Sequence, residues 1–236
     1  MPTPRQTLNP LNQLIILTIS LVLASVGMAQ DEEIHLSESL DVKTLYQPIA
    51  SLEVHGETAV SLLEQLESKH YRSVEVDDNF SSAIFDSLID TLDGSHSYFL
   101  RSDIDELSKF RYTLDDSLKS GSVEPGFDIY NTYYKRVLER LIYAINRIEN
   151  NIPQMDFSID EYIQLDREDA PYAESLADLD EIWRLRIKNS VLSLRLTGDD
   201  DEEIKDKLSK RYRNQLSQVL KTNERDIFQT FLSTVA

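Results

Sequence analysis

Residues 196–236 read LTGDDDEEIKDKLSKRYRNQLSQVLKTNERDIFQTFLSTVA, and the fold class is legible in them. Gly198 ends whatever precedes it, because glycine takes up the left-handed backbone that closes helices. The acids Asp199 to Glu203 then mark a helix start, since negative side chains interact favourably with the positive end of a helix. A calcium loop would alternate its ligands and turn on a glycine at its sixth position, which this run lacks. Ile204, Leu208, Tyr212, Leu216, Val219 and Leu220 follow at helical spacing and define one apolar face. The basic residues Lys207, Lys210, Arg211 and Arg213 are expected to pair with the acid run across the helix surface. A last helix is predicted from Asn223, with Ile227, Phe228, Phe231, Leu232 and Val235 on its apolar face. No Gly, Pro or capping residue closes that pattern before Ala236, so the chain reads as cut short. The last helix is then expected to lack a packing partner and to expose Ile227, Phe228, Phe231 and Val235.

Upstream the same spacing recurs, and only six glycines and seven prolines interrupt it. Ser175 with Asp178 predicts a capped helix running to Thr197, carrying Leu179, Ile182, Trp183, Leu185, Ile187, Val191, Leu194 and Leu196. Between Pro153 and Pro171 the period is lost, and a short extended segment near 155–170 is expected. The longest pattern follows Pro125: Tyr130, Tyr134, Val137, Leu138, Leu141, Ile145 and Ile148, ended by Asn150-Asn151-Ile152-Pro153. Ser102 to Asp105 reads as a capping box opening a helix that Gly121 closes. Asn79 to Leu92 places Phe80, Ile84, Phe85, Leu88 and Leu92 on one face. Thr58 to Tyr71, following Gly56, does the same with Ala59, Leu62, Leu63, Leu66 and His70. The fold class is therefore mainly α, an irregular multi-helix domain with no repeat at a fixed period.

The amino terminus reads as a secretory signal peptide over 1–29. Arg5 is its one cation, the run Leu14 to Val26 is apolar, and Gly27 and Ala29 stand at signal-peptidase spacing. That run is shorter than the ~20 residues a membrane-spanning helix needs, so membrane association is expected at most through an uncleaved leader. Lipid anchoring at the cleavage site would need a cysteine, and the chain has none. Residues 30–44 read as a flexible mature N-terminus, and 45–236 as the helical domain, incomplete at its C-terminal end. A formal charge of −18 argues against nucleic acid and anionic lipid as partners.

No catalytic, cofactor-binding or metal residue is assigned. Without cysteine there is no thiolate nucleophile and no disulfide. His35, His55, His70 and His96 form no His-Glu-x-x-His pair and lie far apart in sequence, against a zinc site. No Gly-x-Ser-x-Gly elbow, Ser-x-x-Lys pair or phosphate-cradling glycine loop occurs. Asp93-Gly94-Ser95-His96-Ser97 could be taken for a Ser/His nucleophile, but neighbouring side chains in a turn rarely meet in the geometry that proton transfer requires. A tight turn using Gly94 at positive φ accounts for the same residues. Trp183 and Tyr130, Tyr133, Tyr134 and Tyr143 read as core and groove lining.

Several groups of residues resemble the helical amino-terminal region of tail-specific proteases, also called carboxy-terminal processing proteases. They are His70-Tyr71; Leu92-Asp93-x-Ser95-His96-x-x-x-Leu100-x-Ser102-Asp103; and Leu165-Asp166-Arg167-x-x-Ala170-Pro171. The Trp183 helix, Leu192-Ser-Leu-x-Leu-Thr-Gly198, Arg211-Tyr212 and Thr222-Asn223-x-x-Asp226-Ile227-Phe228 continue the likeness in the same order from about Leu45 to Ala236. The resemblance implies that a PDZ domain capturing substrate C-termini and a Ser/Lys serine protease domain would lie beyond this chain. It implies for the chain itself the non-catalytic, scaffolding part of a periplasmic endopeptidase, inactive alone, with protein substrates or an adaptor of the cell envelope as partners and no cofactor. The alternative is a stand-alone envelope binding module that has lost the protease.

Overall fold

A computed structural model describes residues 40–69 and 75–235. Expectations for the 1–29 leader, for 30–39, and for His35, His70 and Tyr71 fall outside the described residues. Among the described residues the chain forms nine α-helices and no strand. They are α1 (Val42–Leu45), α2 (Glu53–Lys69), α3 (Asp78–Asp93), α4 (Arg101–Leu107), α5 (Leu114–Lys119), α6 (Glu124–Asn151), α7 (Leu176–Leu196), α8 (Asp201–Leu220) and α9 (Glu224–Ser233).

α6 organises the rest. Pro125 sits in its first turn, where a missing N–H costs nothing, and α1, α3, α5, α7, α8 and α9 all pack against it. Its amino-terminal Phe127 and Ile129 join α2, α3, α5 and α9 in one buried apolar cluster around Phe85, Leu88 and Leu114. Its later turns bury Leu138, Leu141, Ile145 and Ile148, on the side where α7 and α8 supply Leu179, Trp183, Ile187, Ile204, Leu208 and Leu216. Each such side chain contributes about 2 kcal/mol by leaving water. Three ion pairs fasten the long helix to its neighbours: Arg136 grips Asp103 of α4 through Nε and Nη2 at 2.8 and 2.9 Å, Arg140 pairs with Asp180 of α7, and Arg213 of α8 reaches Glu149 at 2.7 Å.

Helix ends written in local sequence form where expected. Ser175 and Asp178 cap α7 reciprocally, and Gly198 at φ 99° follows its end. Asp200 accepts from the N–H groups of Glu202 and Glu203 at the start of α8, and Asn223 does the same for Arg225 and Asp226 at α9. Each such cap is worth about 1 kcal/mol.

Four expectations are corrected. The last helix is not exposed: Ile227, Phe228, Phe231 and Val235 are all buried in the core cluster, because α9 folds back onto α6. Gly126 makes this approach possible, since a Cβ there would lie 2.5 Å from the Phe231 ring. Gly56 does not precede α2 but lies inside it. A Cβ on Gly56 would stand 2.0 Å from the carbonyl oxygen of Gly121, so the backbones of α2 and the turn after α5 touch.

The helix read from Ser102 to Gly121 is broken into two. α4 begins one residue earlier than the presumed cap, with the Asp103 carboxylate accepting from the Leu100 N–H at 2.8 Å. After it the chain turns, pinned to α3 by Arg111 on Asp86 at 2.8 Å and by the Leu114 N–H donating to Ser81 Oγ at 2.8 Å. The basic cluster of α8 also divides: Lys207 pairs with Asp199 at 2.7 Å, whereas Arg213 turns to α6, and Arg195 of α7 takes Asp201 at 2.8 Å.

The connection Met155–Glu174 carries neither helix nor strand, apart from one isolated parallel bridge between Leu100 and Ala173. Nothing among the described residues is a helix long and apolar enough to cross a membrane.

Candidate functional site

Asp93 is the last residue of α3 and is 2% exposed. Its Oδ1 accepts from the Ser97 N–H at 2.8 Å, and its Oδ2 from Tyr98 and Phe99 at 3.0 and 2.8 Å. One carboxylate thus satisfies three backbone donors of a turn that would otherwise be buried without partners. Burial pushes the Asp93 carboxyl up from its ordinary pKa, and the three N–H donors pull against that shift without cancelling it.

The positive φ of the turn falls on His96, at 44°, and not on Gly94, which is right-handed at −57°. A left-handed histidine costs about 1 kcal/mol, and its ring contacts offset this. The His96 Nδ1–H donates to the Ala170 carbonyl, and the imidazole stacks on Tyr172 with centroids 4.0 Å apart. Burial leads in pushing the Tyr172 hydroxyl up, to about 12. Arg167 donates through Nη2 to the His96 carbonyl at 3.3 Å.

α7 closes the turn from the other side. Trp183 Nε1 donates to the Ser97 carbonyl at 2.7 Å, and Arg186 Nη2 donates to Ser97 Oγ at 2.9 Å. The Arg186 guanidinium lies 5.0 Å over the Trp183 ring, which also meets Tyr98 edge-on at 5.5 Å. The turn 93–99 therefore meets 167–173 and 183–186 at one place, through contacts that span 71 to 89 residues of sequence. These are the Asp93-to-His96, Arg167-to-Pro171 and Trp183 groups that carried the family resemblance.

Ser, His and Asp occur together here but are not linked as a nucleophile and its base. Ser97 Oγ donates to the Ser95 carbonyl at 2.8 Å, His96 Nδ1 faces Ala170, and Asp93 is held by backbone. The arrangement fixes a turn and leaves no proton path from Ser97 to His96. Among the described residues no three His, Asp or Glu side chains converge as metal ligands. His55 is also structural, stacked on Phe228 at 4.3 Å, with Nδ1 accepting from the Leu52 N–H.

Three small hollows line the Met155–Glu174 connection where it lies along α7. One of about 140 Å³ is bounded by Arg147, Met155, Ile159, Arg184 and Lys188. Another of about 110 Å³ has apolar walls from Phe157, Ile163, Leu185 and Leu192. The third, about 40 Å³, is lined by Ile163, Gln164, Arg167, Ile182, Leu185 and Arg186. Reading the sequence gave no notice of the meeting of Arg167 and Arg186, because nineteen residues and an irregular connection separate them. The one signal available was that Arg167 stood in one of the groups that carried the resemblance.

Residues 62–236 match the family described as Tail specific protease N-terminal domain. The chain is 38% identical over 173 residues to a Tail-specific protease of Haemophilus influenzae, which covers 73% of this chain. The matched part is 24% of the relative's own length.

Proposed function

Since the chain belongs to the family of tail-specific protease N-terminal domains, we propose that it is the non-catalytic helical part of a periplasmic serine endopeptidase acting on proteins with apolar C-terminal tails. In this reading the helices scaffold PDZ and protease modules, and the connection along α7 offers surface to substrates or to an adaptor of the cell envelope. The leader-like composition of residues 1–29 supports export to the periplasm. The observation that carries the reading is the meeting of the Asp93 turn, the Arg167 segment and the Trp183 helix. These motifs hold the fold in place and leave chemistry to other domains.

A chimera tests it. The matching region of the Haemophilus influenzae protease is replaced by residues 40–236, and cleavage of a protein with an apolar C-terminal tail is followed. Activity in the chimera, none without any N-terminal region, and none from this chain alone are the expected results. Cleavage by this chain alone, or full activity without the region, would contradict the scaffold role. Coverage of the α9 face within the chain is also what a self-contained binding module would need. An inactive but folded chimera would favour that second reading.

A further inference from the structure

Seven of the twelve arginines among the described residues are matched with acids. Arg101, Arg111, Arg136, Arg140, Arg184, Arg195 and Arg213 each form an ion pair with a carboxylate, as expected where 42 acids face 24 bases. Arg167 and Arg186 do not, nor do Arg147, Arg211 and Arg225, but the first two are set apart by lying together. Among the described residues neither forms an ion pair, although both line the same hollow of about 40 Å³. Arg167 spends Nη2 on two long contacts with carbonyls, at 3.3 and 3.5 Å, and its buried Nε has no partner. Arg186 spends one N–H on Ser97 Oγ. Asp93 is near, but its oxygens already hold three backbone N–H groups.

Two like charges held together in a partly buried place destabilise each other. Burial first, and then Arg186, pull the Arg167 guanidinium down from its ordinary value against the help of Asp93. An anion entering the hollow would relieve this. The space holds a group of a few heavy atoms. Ile163, Ile182 and Leu185 provide apolar walls that keep water from weakening the contact. Planar guanidinium donors match the two oxygens of a carboxylate.

We propose that Arg167 and Arg186 form a binding site for a single peptide carboxylate, carried by an acidic side chain or by a free C-terminus. The site rests on this chain's own residues and stands apart from its role in a larger enzyme.

Trp183 is the one tryptophan of the chain and lies beneath Arg186, so its fluorescence reports on the hollow. The full chain is titrated at constant ionic strength with four probes: N-acetyl-alanyl-alanine, its C-terminal amide, N-acetyl-aspartyl-alanine amide, and inorganic phosphate. A saturable change with the free acid or the aspartyl peptide, and none with the alanyl amide, is the expected result. Response to the free acid alone assigns a C-terminus, and response to the aspartyl amide assigns a side chain. Arg167→Gln is expected to weaken binding about tenfold. Gln164→Glu is the second variant, because Gln164 is exposed at the hollow and takes no part in the turn. It supplies the missing negative charge from within, so it should abolish the response and raise Tm. An equal response to the uncharged amide, no saturable response at all, tighter binding of inorganic phosphate than of carboxylate, or unchanged affinity in Gln164→Glu would each overturn the site. Should Arg167→Gln fail to fold, Gln164→Glu decides alone.

Discussion

Two irregular stretches among the described residues, the turn from Gly94 to Phe99 and the connection from Met155 to Glu174, reverse the usual placing of polar and apolar residues. The turn carries serines and follows an aspartate, yet Asp93 and Ser97 are 2% and 0% exposed. The connection carries Ile159, Tyr162 and Leu165, yet these are 56%, 84% and 77% exposed. Composition does not separate the two. What separates them is where their backbone donors go: Asp93 collects three of them and allows the turn to be buried, whereas in the connection Asp156 and Asp166 each take only one and the chain runs over the surface.

The comparison can be broken first at Asp93. Asp93→Ala leaves three buried N–H groups without an acceptor and is expected to cost about 3 kcal/mol or more, measured by urea unfolding. A loss under 1 kcal/mol would mean that the turn finds other partners. Trp183→Phe removes only the donor to the Ser97 carbonyl and some packing, so about 2 kcal/mol is expected in the same assay.

A pH series sharpens the point. The Asp93 pKa is raised in the folded chain, so folding takes up a proton between the ordinary carboxylate value and the raised one. The stability this group contributes is fully present below the ordinary value and is lost as pH rises through the raised one. In Asp93→Asn, which stays neutral, that part of the decline should vanish from unfolding midpoints taken between pH 4 and 7. An identical slope in both proteins would place the titration elsewhere. The smallest effect belongs to the connection: Leu165→Ser should change stability by no more than about 0.5 kcal/mol. A larger loss would show that the exposed leucine packs on something in solution.

How much of this was legible depended on sequence distance. Ser175 with Asp178, Asp200 with Glu203, and Asn223 with Asp226 act within three residues, so α7, α8 and α9 could be read with their starts. Gly56 could not be placed inside α2, because the reason for it is Gly121, 65 residues away. The burial of α9 was missed for the same cause: the Gly126 surface that receives Phe231 lies on another helix. The turn after α3 was recognised as a turn, but its mechanics were not. A glycine is the ordinary bearer of positive φ, and here His96 bears it, held by Ala170 and Tyr172. The family motifs were visible as words, and only the folded chain brings them to one place.

Native-state hydrogen exchange at the Ser97, Tyr98 and Phe99 amides tests most directly whether the Asp93 turn is part of the core. Protection close to that of Leu138 and Leu141 in α6 is the predicted result. Exchange as fast as that of Tyr162 in the exposed connection would contradict it.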